Sequence, residues 1–210
     1  MFDLDGTLVD SMPLVLKAFA HAVAPFCGPV SDEELFTRLG GPPERTFAGW
    51  LRGAAETAQA MTRLRDYSLT HWKLIRPFDG WESLFQTLRQ RELAMAVWTG
   101  RERESAQWLF SEYAIAPYLR ACVCGDDLPS HKPDPEGLQR IVDELQLTAD
   151  DALFVGDADV DVLAGHACGV RTLLIRHGRA VDEAVLRKAW RVVETPAEAY
   201  AQILQDTNGL

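Results

Sequence analysis

The chain has 210 residues, 47% hydrophobic and 25% charged, which is the balance of an ordinary globular protein with enough length to bury a sizeable core. Its net charge of −10, with no Lys/Arg block, argues against a nucleic-acid surface, and no apolar run reaches membrane-spanning length. The start Met1-Phe2-Asp3 does not resemble a signal peptide, so a cytoplasmic protein is expected.

The chain opens on Met1-Phe2-Asp3-Leu4-Asp5-Gly6-Thr7, two carboxylates one residue apart followed by a Gly-Thr turn. If residues 1–3 end a strand, Asp3 and Asp5 face the same side. Gly6, lacking a Cβ, lets the backbone bend away close to a ligand. The plain alternative is an acidic turn, since Asp and Gly are ordinary turn formers. Ser11 is placed as the cap of a helix in which Leu14, Val15, Ala18, Phe19, Ala22, Val23 and Phe26 recur at helical spacing. Ser31 and Glu34 suit a capping box for a short helix. Gly40-Gly41-Pro42-Pro43 reads as a stiff loop, Glu44 to Leu51 as helix, and about Ala54 to Ile75 as a longer helix broken by Pro77. Residues 12–77 therefore form a helical insertion between two parts of a second domain, 1–11 and 78–210.

Beyond Gly80 the rhythm changes. Apolar strands are expected at residues 93–98, 121–124, 152–155, 172–175 and 191–193. Helices at 81–91, 101–113, 136–145, 160–168, 181–189 and 196–205 alternate with them. That alternation predicts a parallel sheet covered by helices on both faces, a three-layer αβα arrangement. Ligands on such sheets sit beyond the carboxyl ends of the strands. At those ends stand Asp3 and Asp5, then Thr99-Gly100-Arg101, then Ser130-His131-Lys132-Pro133, then Gly156-Asp157-Ala158-Asp159-Val160-Asp161. Taken singly, Thr99 is an ordinary turn residue, Lys132 a surface charge, and the acids a helix N-terminus attracting negative side chains. The four cysteines, Cys27, Cys122, Cys124 and Cys168, lack zinc-site spacing and read as reduced thiols without assigned function.

Asp-x-Asp-Gly-Thr, a strand-end Thr, a Lys and Gly-Asp-x-x-x-Asp, in that order, closely resemble the four motifs of the haloacid dehalogenase superfamily, in its phosphatase branch. The helical insertion resembles the cap of the phosphoglycolate phosphatase and β-phosphoglucomutase group. The resemblance covers essentially the whole chain and implies a Rossmann-like core with an all-helical cap. It also implies an Mg²⁺-dependent phosphatase acting on a small phosphorylated metabolite. Asp3 suits a nucleophile that forms an aspartyl-phosphate. By resemblance, Mg²⁺ is held by the Asp3 carboxylate, the Asp5 backbone carbonyl and the Asp157 carboxylate, with Asp161 supporting. Asp5 is the implied general acid, needing a pKa raised by neighbouring carboxylates. Thr99, Gly100 and Lys132 are placed around the transferred phosphoryl group. Arg45, in the cap, is a candidate for a substrate carboxylate or hydroxyl, against the plainer reading of a helix-surface Arg. Arg101 is a comparable case.

Relatives carry several more apolar residues before the first aspartate, so the first strand is expected to be very short and the natural chain to begin upstream. A phosphosugar mutase shares the nucleophile and cap, and a catalytically silent binding protein on the same fold is the rival from another class. The sequence leaves monomer and homodimer equally open and does not select among phosphoglycolate, pyrophosphate, a nucleotide and a sugar phosphate.

Overall fold

A computed structural model describes residues 1–39 and 43–208. The chain divides into two compact units, Met1–Val9 with Pro77–Leu210, and Asp10–Arg76. It leaves and re-enters the first unit through two short paired strands, β1 (Val9–Asp10) and β2 (Arg76–Pro77).

The second unit holds helices α1 (Met12–Cys27), α2 (Asp32–Arg38), α3 (Pro43–Phe47) and α4 (Ala54–His71). Phe19, Ala22, Val23, Leu35, Phe47 and Ala60 are buried together, so the apolar stripe of α1 forms the centre of this unit. Ser11 does not cap α1. Its backbone is already in the helical region, and the N–H of Met12 donates instead to Asp10 Oδ1 at 3.0 Å. Ser31 does cap α2, accepting from the Glu34 N–H at 3.2 Å. The expected helix at 44–51 shortens to α3, and the Gly40–Pro42 part of the expected loop lies outside the described residues.

The first unit is a parallel sheet flanked by helices. Its strands are β3 (Met95–Trp98), β4 (Leu119–Val123), β5 (Leu153–Gly156), β6 (Arg171–Ile175) and β7 (Arg191–Val193). Phe2 bridges Val97 on one side and Val155 on the other, so the order runs β4, β3, Phe2, β5, β6, β7. The opening strand thus reduces to a short central link. Its bonds are Phe2 N–H to Ala96 O at 2.9 Å, Trp98 N–H to Phe2 O at 2.9 Å, Asp3 N–H to Val155 O at 2.8 Å and Val155 N–H to Met1 O at 3.0 Å. All four residues of β3 are buried, as a strand with both faces covered requires.

Helices α5 (Trp81–Gln90), α6 (Arg103–Glu112), α7 (Glu136–Glu144), α8 (Asp159–Cys168), α9 (Glu183–Leu186) and α10 (Pro196–Asp206) cover the sheet. Leu138, Ile141 and Val142 of α7 pack with Ala96, Trp98, Val123 and Phe154, each such large side chain contributing roughly 1.5–3 kcal/mol by burial. Against Phe2 lies Phe85 of α5, with ring centroids 5.1 Å apart. Among the described residues no single helix is long and apolar enough to cross a membrane.

Tyr200 of α10 is buried and donates its hydroxyl to the Thr7 carbonyl at 2.7 Å, tying the last helix to the turn after Asp5. Tyr200→Phe strands that carbonyl. The expected loss is about 1–2 kcal/mol of unfolding free energy, read as a lower urea midpoint at unchanged slope.

Candidate active site

Parallel strands all deliver their carboxyl ends to one edge, and the four sequence segments meet there. The turn after Phe2 is fixed by the Leu4 carbonyl, which accepts from the N–H groups of Leu8 and Val9 at 2.9 and 3.0 Å. Gly6 closes it at φ 74°, and a Cβ there would fall onto the Asp157 carboxylate. Only glycine combines that left-handed backbone with such close approach. The turn after β5 begins α8, where Asp161 Oδ2 accepts from the Ala158 N–H at 2.9 Å. Acids at that helix start also suit its dipole.

Lys132 binds these pieces together. Its Nζ donates to Asp3 Oδ1 at 2.7 Å and to the Trp98 carbonyl at 2.9 Å, and lies 2.7 Å from Asp161 Oδ1. The first two are hydrogen bonds; the third is an ion pair, and Asp161 Oδ1 accepts no hydrogen bond among the described residues. The charge also sits 4.9 Å from the Trp98 ring centroid and 5.1 Å from that of Phe154. Burial opposes the charge, but Asp161 and Asp3 outweigh it and hold the Lys132 pKa above its ordinary value. Thr99, buried at the end of β3, accepts the Arg101 N–H on its hydroxyl at 3.1 Å, and Gly100 lies between them.

Asp3, Asp157 and Asp161 each offer a carboxylate oxygen within 4.8 Å of the others. Burial pushes Asp3 up to about 7 despite Lys132, with Asp161 and Asp5 adding to the rise. Burial likewise raises Asp157 well above the ordinary carboxylate range, helped by the charges of Asp3 and Asp161. An all-oxygen cluster whose charges are desolvated and crowded fits a hard divalent cation, which would relieve both penalties. Asp5 has its carboxylate in the fork of Arg101, which donates from Nε at 3.0 Å and from a terminal nitrogen.

Because the Asp3 pKa is about 7 in the fold against an ordinary 3.8, its contribution to stability is fully present below pH 3.8 and is lost as pH rises through 7. A cation that neutralises the cluster therefore stabilises more at high pH. Adding Mg²⁺ is expected to raise the melting temperature more near about pH 8 than near about pH 5. Scanning fluorimetry checks this, and equal rises would contradict it.

Two groups here were invisible in the sequence. His177 Nε2 lies 2.6 Å from the Gly6 carbonyl, and Arg179 donates to the Asp157 carbonyl while standing 3.6 Å from Asp159. Both follow β6, a segment with no motif spacing to mark it. Arg45 is exposed on α3 of the helical unit.

Comparison with known proteins bears on the family and the fold. Residues 1–175 match the family model described as haloacid dehalogenase-like hydrolase. A plasmid-encoded phosphoglycolate phosphatase of Cupriavidus necator is 32% identical over 190 residues, covering 86% of this chain and 81% of that protein. The pyrophosphatase PpaX of Halalkalibacterium halodurans is 27% identical, covering 83% and 81%. Among solved structures, a protein from Haemophilus somnus described as a predicted phosphoglycolate phosphatase superposes with a TM-score of 0.84 at 22% identity, covering 98% of this chain and 96% of its own.

Proposed function

We propose, from the premise that this chain belongs to the haloacid dehalogenase-like hydrolase family, that it is an Mg²⁺-dependent phosphatase of small phosphomonoesters. The observation that carries the reading is Lys132, buried with its ammonium 2.7 Å from both Asp3 and Asp161 at the strand ends. Such a fixed charge beside a carboxylate cluster suits phosphoryl transfer, where positioning and electrostatics dominate.

In this reading Asp3 attacks phosphorus and becomes an aspartyl-phosphate while Asp5 gives a proton to the leaving oxygen. Asp5 then takes a proton from water, and the resulting hydroxide releases phosphate and restores Asp3. Arg101 orients the Asp5 carboxylate. Thr99 and the Gly100 backbone hold phosphoryl oxygens, and Lys132 shares its charge between them and Asp3. Asp3, the Asp5 carbonyl and Asp157 would hold Mg²⁺, with Asp161 in support. Bound there, the ion supplies charge neutralisation for the approach of one anion to another.

Residues 12–77 serve as the cap in this proposal, and Arg45 is the cap residue assigned to a substrate anion. The named relatives, one a phosphoglycolate phosphatase and one a pyrophosphatase, direct the substrate search to small, strongly anionic phosphates. Phosphate release from p-nitrophenyl phosphate is measured with and without Mg²⁺, then from 2-phosphoglycolate, pyrophosphate and a hexose phosphate. Metal-dependent turnover is expected, fastest on one small anion. A folded protein that releases no phosphate from any of them would sink the reading, and interconversion of the hexose phosphate would point to a mutase.

A further inference from the structure

Cys122 and Cys124 take no part in the chemistry above, yet their sulfurs lie 3.6 Å apart. Cys122 is in β4 and Cys124 is the first residue beyond it, and the contact of their sulfurs puts both side chains on one side of the chain. Cys122 is partly exposed and Cys124 is buried. Their surroundings are polar. Arg103 donates to the Cys122 carbonyl at 3.1 Å and to Asp127 Oδ1 at 2.7 Å, and Asp127 Oδ2 accepts from the Cys124 N–H at 2.7 Å. The hydrogen bond between the sulfurs raises the Cys122 pKa and lowers that of Cys124.

The pair is also joined to the candidate site. The Thr99 N–H donates to the Val123 carbonyl at 3.0 Å, and the Gly125 N–H to the Arg101 carbonyl at 2.8 Å. Gly125 sits so close to the Gly100 carbonyl that a Cβ on it would clash. Residues 122–125 are therefore the wall on which the loop 99–101 is built.

We propose that Cys122 and Cys124 form a vicinal dithiol, a modification site for hydroperoxides, and that its closure to a disulfide displaces the Thr99–Arg101 loop and lowers turnover. The peroxide oxidises one thiol to a sulfenic acid and leaves as its alcohol, or as water when the peroxide is H₂O₂. The second thiol then displaces the hydroxyl as water, so two electrons and two protons pass from the cysteines to the peroxide. Geometry supplies the coupling. Two residues of extended strand span about 6.6 Å, near the upper end of the Cα separations that a disulfide tolerates. Closing the bond shortens the strand end, and Val123, Gly125 and the loop bonded to them must follow. A bond formed under such strain is readily reduced, so the change is reversible.

The activity half of this inference rests on the phosphatase reading; the thiol half does not. The full chain is treated with H₂O₂, remaining thiols are alkylated, and the peptide holding both cysteines is weighed. The expected peptide is lighter by two hydrogens and unlabelled at Cys122 and Cys124, and dithiothreitol restores both labels. Aryl-phosphate turnover is expected to fall roughly tenfold or more and to return on reduction, since small displacements of positioning groups carry costs of that order. Cys122→Ser should keep its turnover under peroxide. Phenylarsine oxide, which needs two neighbouring thiols, should bind once per wild-type chain and not to Cys122→Ser or Cys124→Ala. A wild-type peptide that stays doubly alkylated after peroxide, or a Cys122→Ser protein inactivated as readily as wild type, would overturn the proposal. So would a disulfide that forms while turnover holds. If the untreated protein releases no phosphate, the phosphatase reading falls, and the peptide mass and arsenical capture still decide the dithiol.

Discussion

Replacing Asp3 by Asn is expected to abolish aryl-phosphate turnover, by on the order of 10⁴-fold or more, without unfolding the protein. The two side chains have the same shape, but the amide has no charge with which to attack phosphorus. The structure adds a sign for stability. Asp3 is 7% exposed and its pKa is raised to about 7 by burial, so its ionised form is costly in the fold at neutral pH. Removing that charge removes the penalty, and the Asn oxygen can still accept from Lys132, which keeps Asp161 as its counter-charge at 2.7 Å. Without Mg²⁺, the variant is expected to melt no lower than wild type near about pH 8, and to lose much of the Mg²⁺-dependent rise. Phosphate release and scanning fluorimetry on one preparation check both halves. A variant that is inactive because it is unfolded would refute the argument, and so would one that retains turnover.

The sequence exposed the parts of the site that depend on local order. Asp3, Thr99 and Asp157 each follow a short apolar run, Lys132 follows a loop beyond one, and parallel strands bring such positions to one edge whatever lies between them. It could not expose contacts made by generic residues across the edge. The fork of Arg101 on Asp5 joins positions 96 residues apart, and the His177–Gly6 contact joins positions 171 apart. Nothing in an isolated Arg or His announces such a partner. Local rules also had to compete with one another. Ser11 is a good cap residue, but Asp10 beside it has the reach and the charge to satisfy the Met12 N–H. The segment 181–189 carries helical spacing, and Val181, Val185, Leu186 and Ala189 do pack with Val162 and Leu174. Its backbone nevertheless makes one turn, Glu183–Leu186, since apolar spacing records which residues must be buried and the packing can be met without a full helix. Cys122 and Cys124 read from sequence as plain reduced thiols for a similar reason. Their alternation on a strand was legible, while the 3.6 Å contact and the bonds to the loop at Thr99 depend on how β4 sits against β3.

Lys132→Met tests the other half of the electrostatic design, and two losses are expected together. Turnover should fall by roughly 10³-fold or more, because a preorganised charge in a dry site is among the largest contributions to phosphoryl transfer. Stability should also fall, by about 3–5 kcal/mol at neutral pH, because removing one member of a buried ion pair leaves the other uncompensated. Here two partners are stranded, Asp3 and Asp161, and they face one another across the space the ammonium occupied. The sign with pH follows. Lys132 lowers the Asp3 pKa against the effect of burial, so its removal drives that pKa above the wild-type value of about 7. A folded pKa raised further means stability that persists at low pH and is lost as pH rises through the new value. Urea unfolding of the variant is therefore expected to approach wild type near about pH 5 and to fall away steeply toward about pH 8, with Mg²⁺ recovering part of the difference. Wild-type stability at the higher pH would mean that the carboxylates find another cation, and would place Lys132 in the chemistry alone. A variant equally unstable at both values would instead point to lost packing of the lysine stem against Trp98 and Phe154.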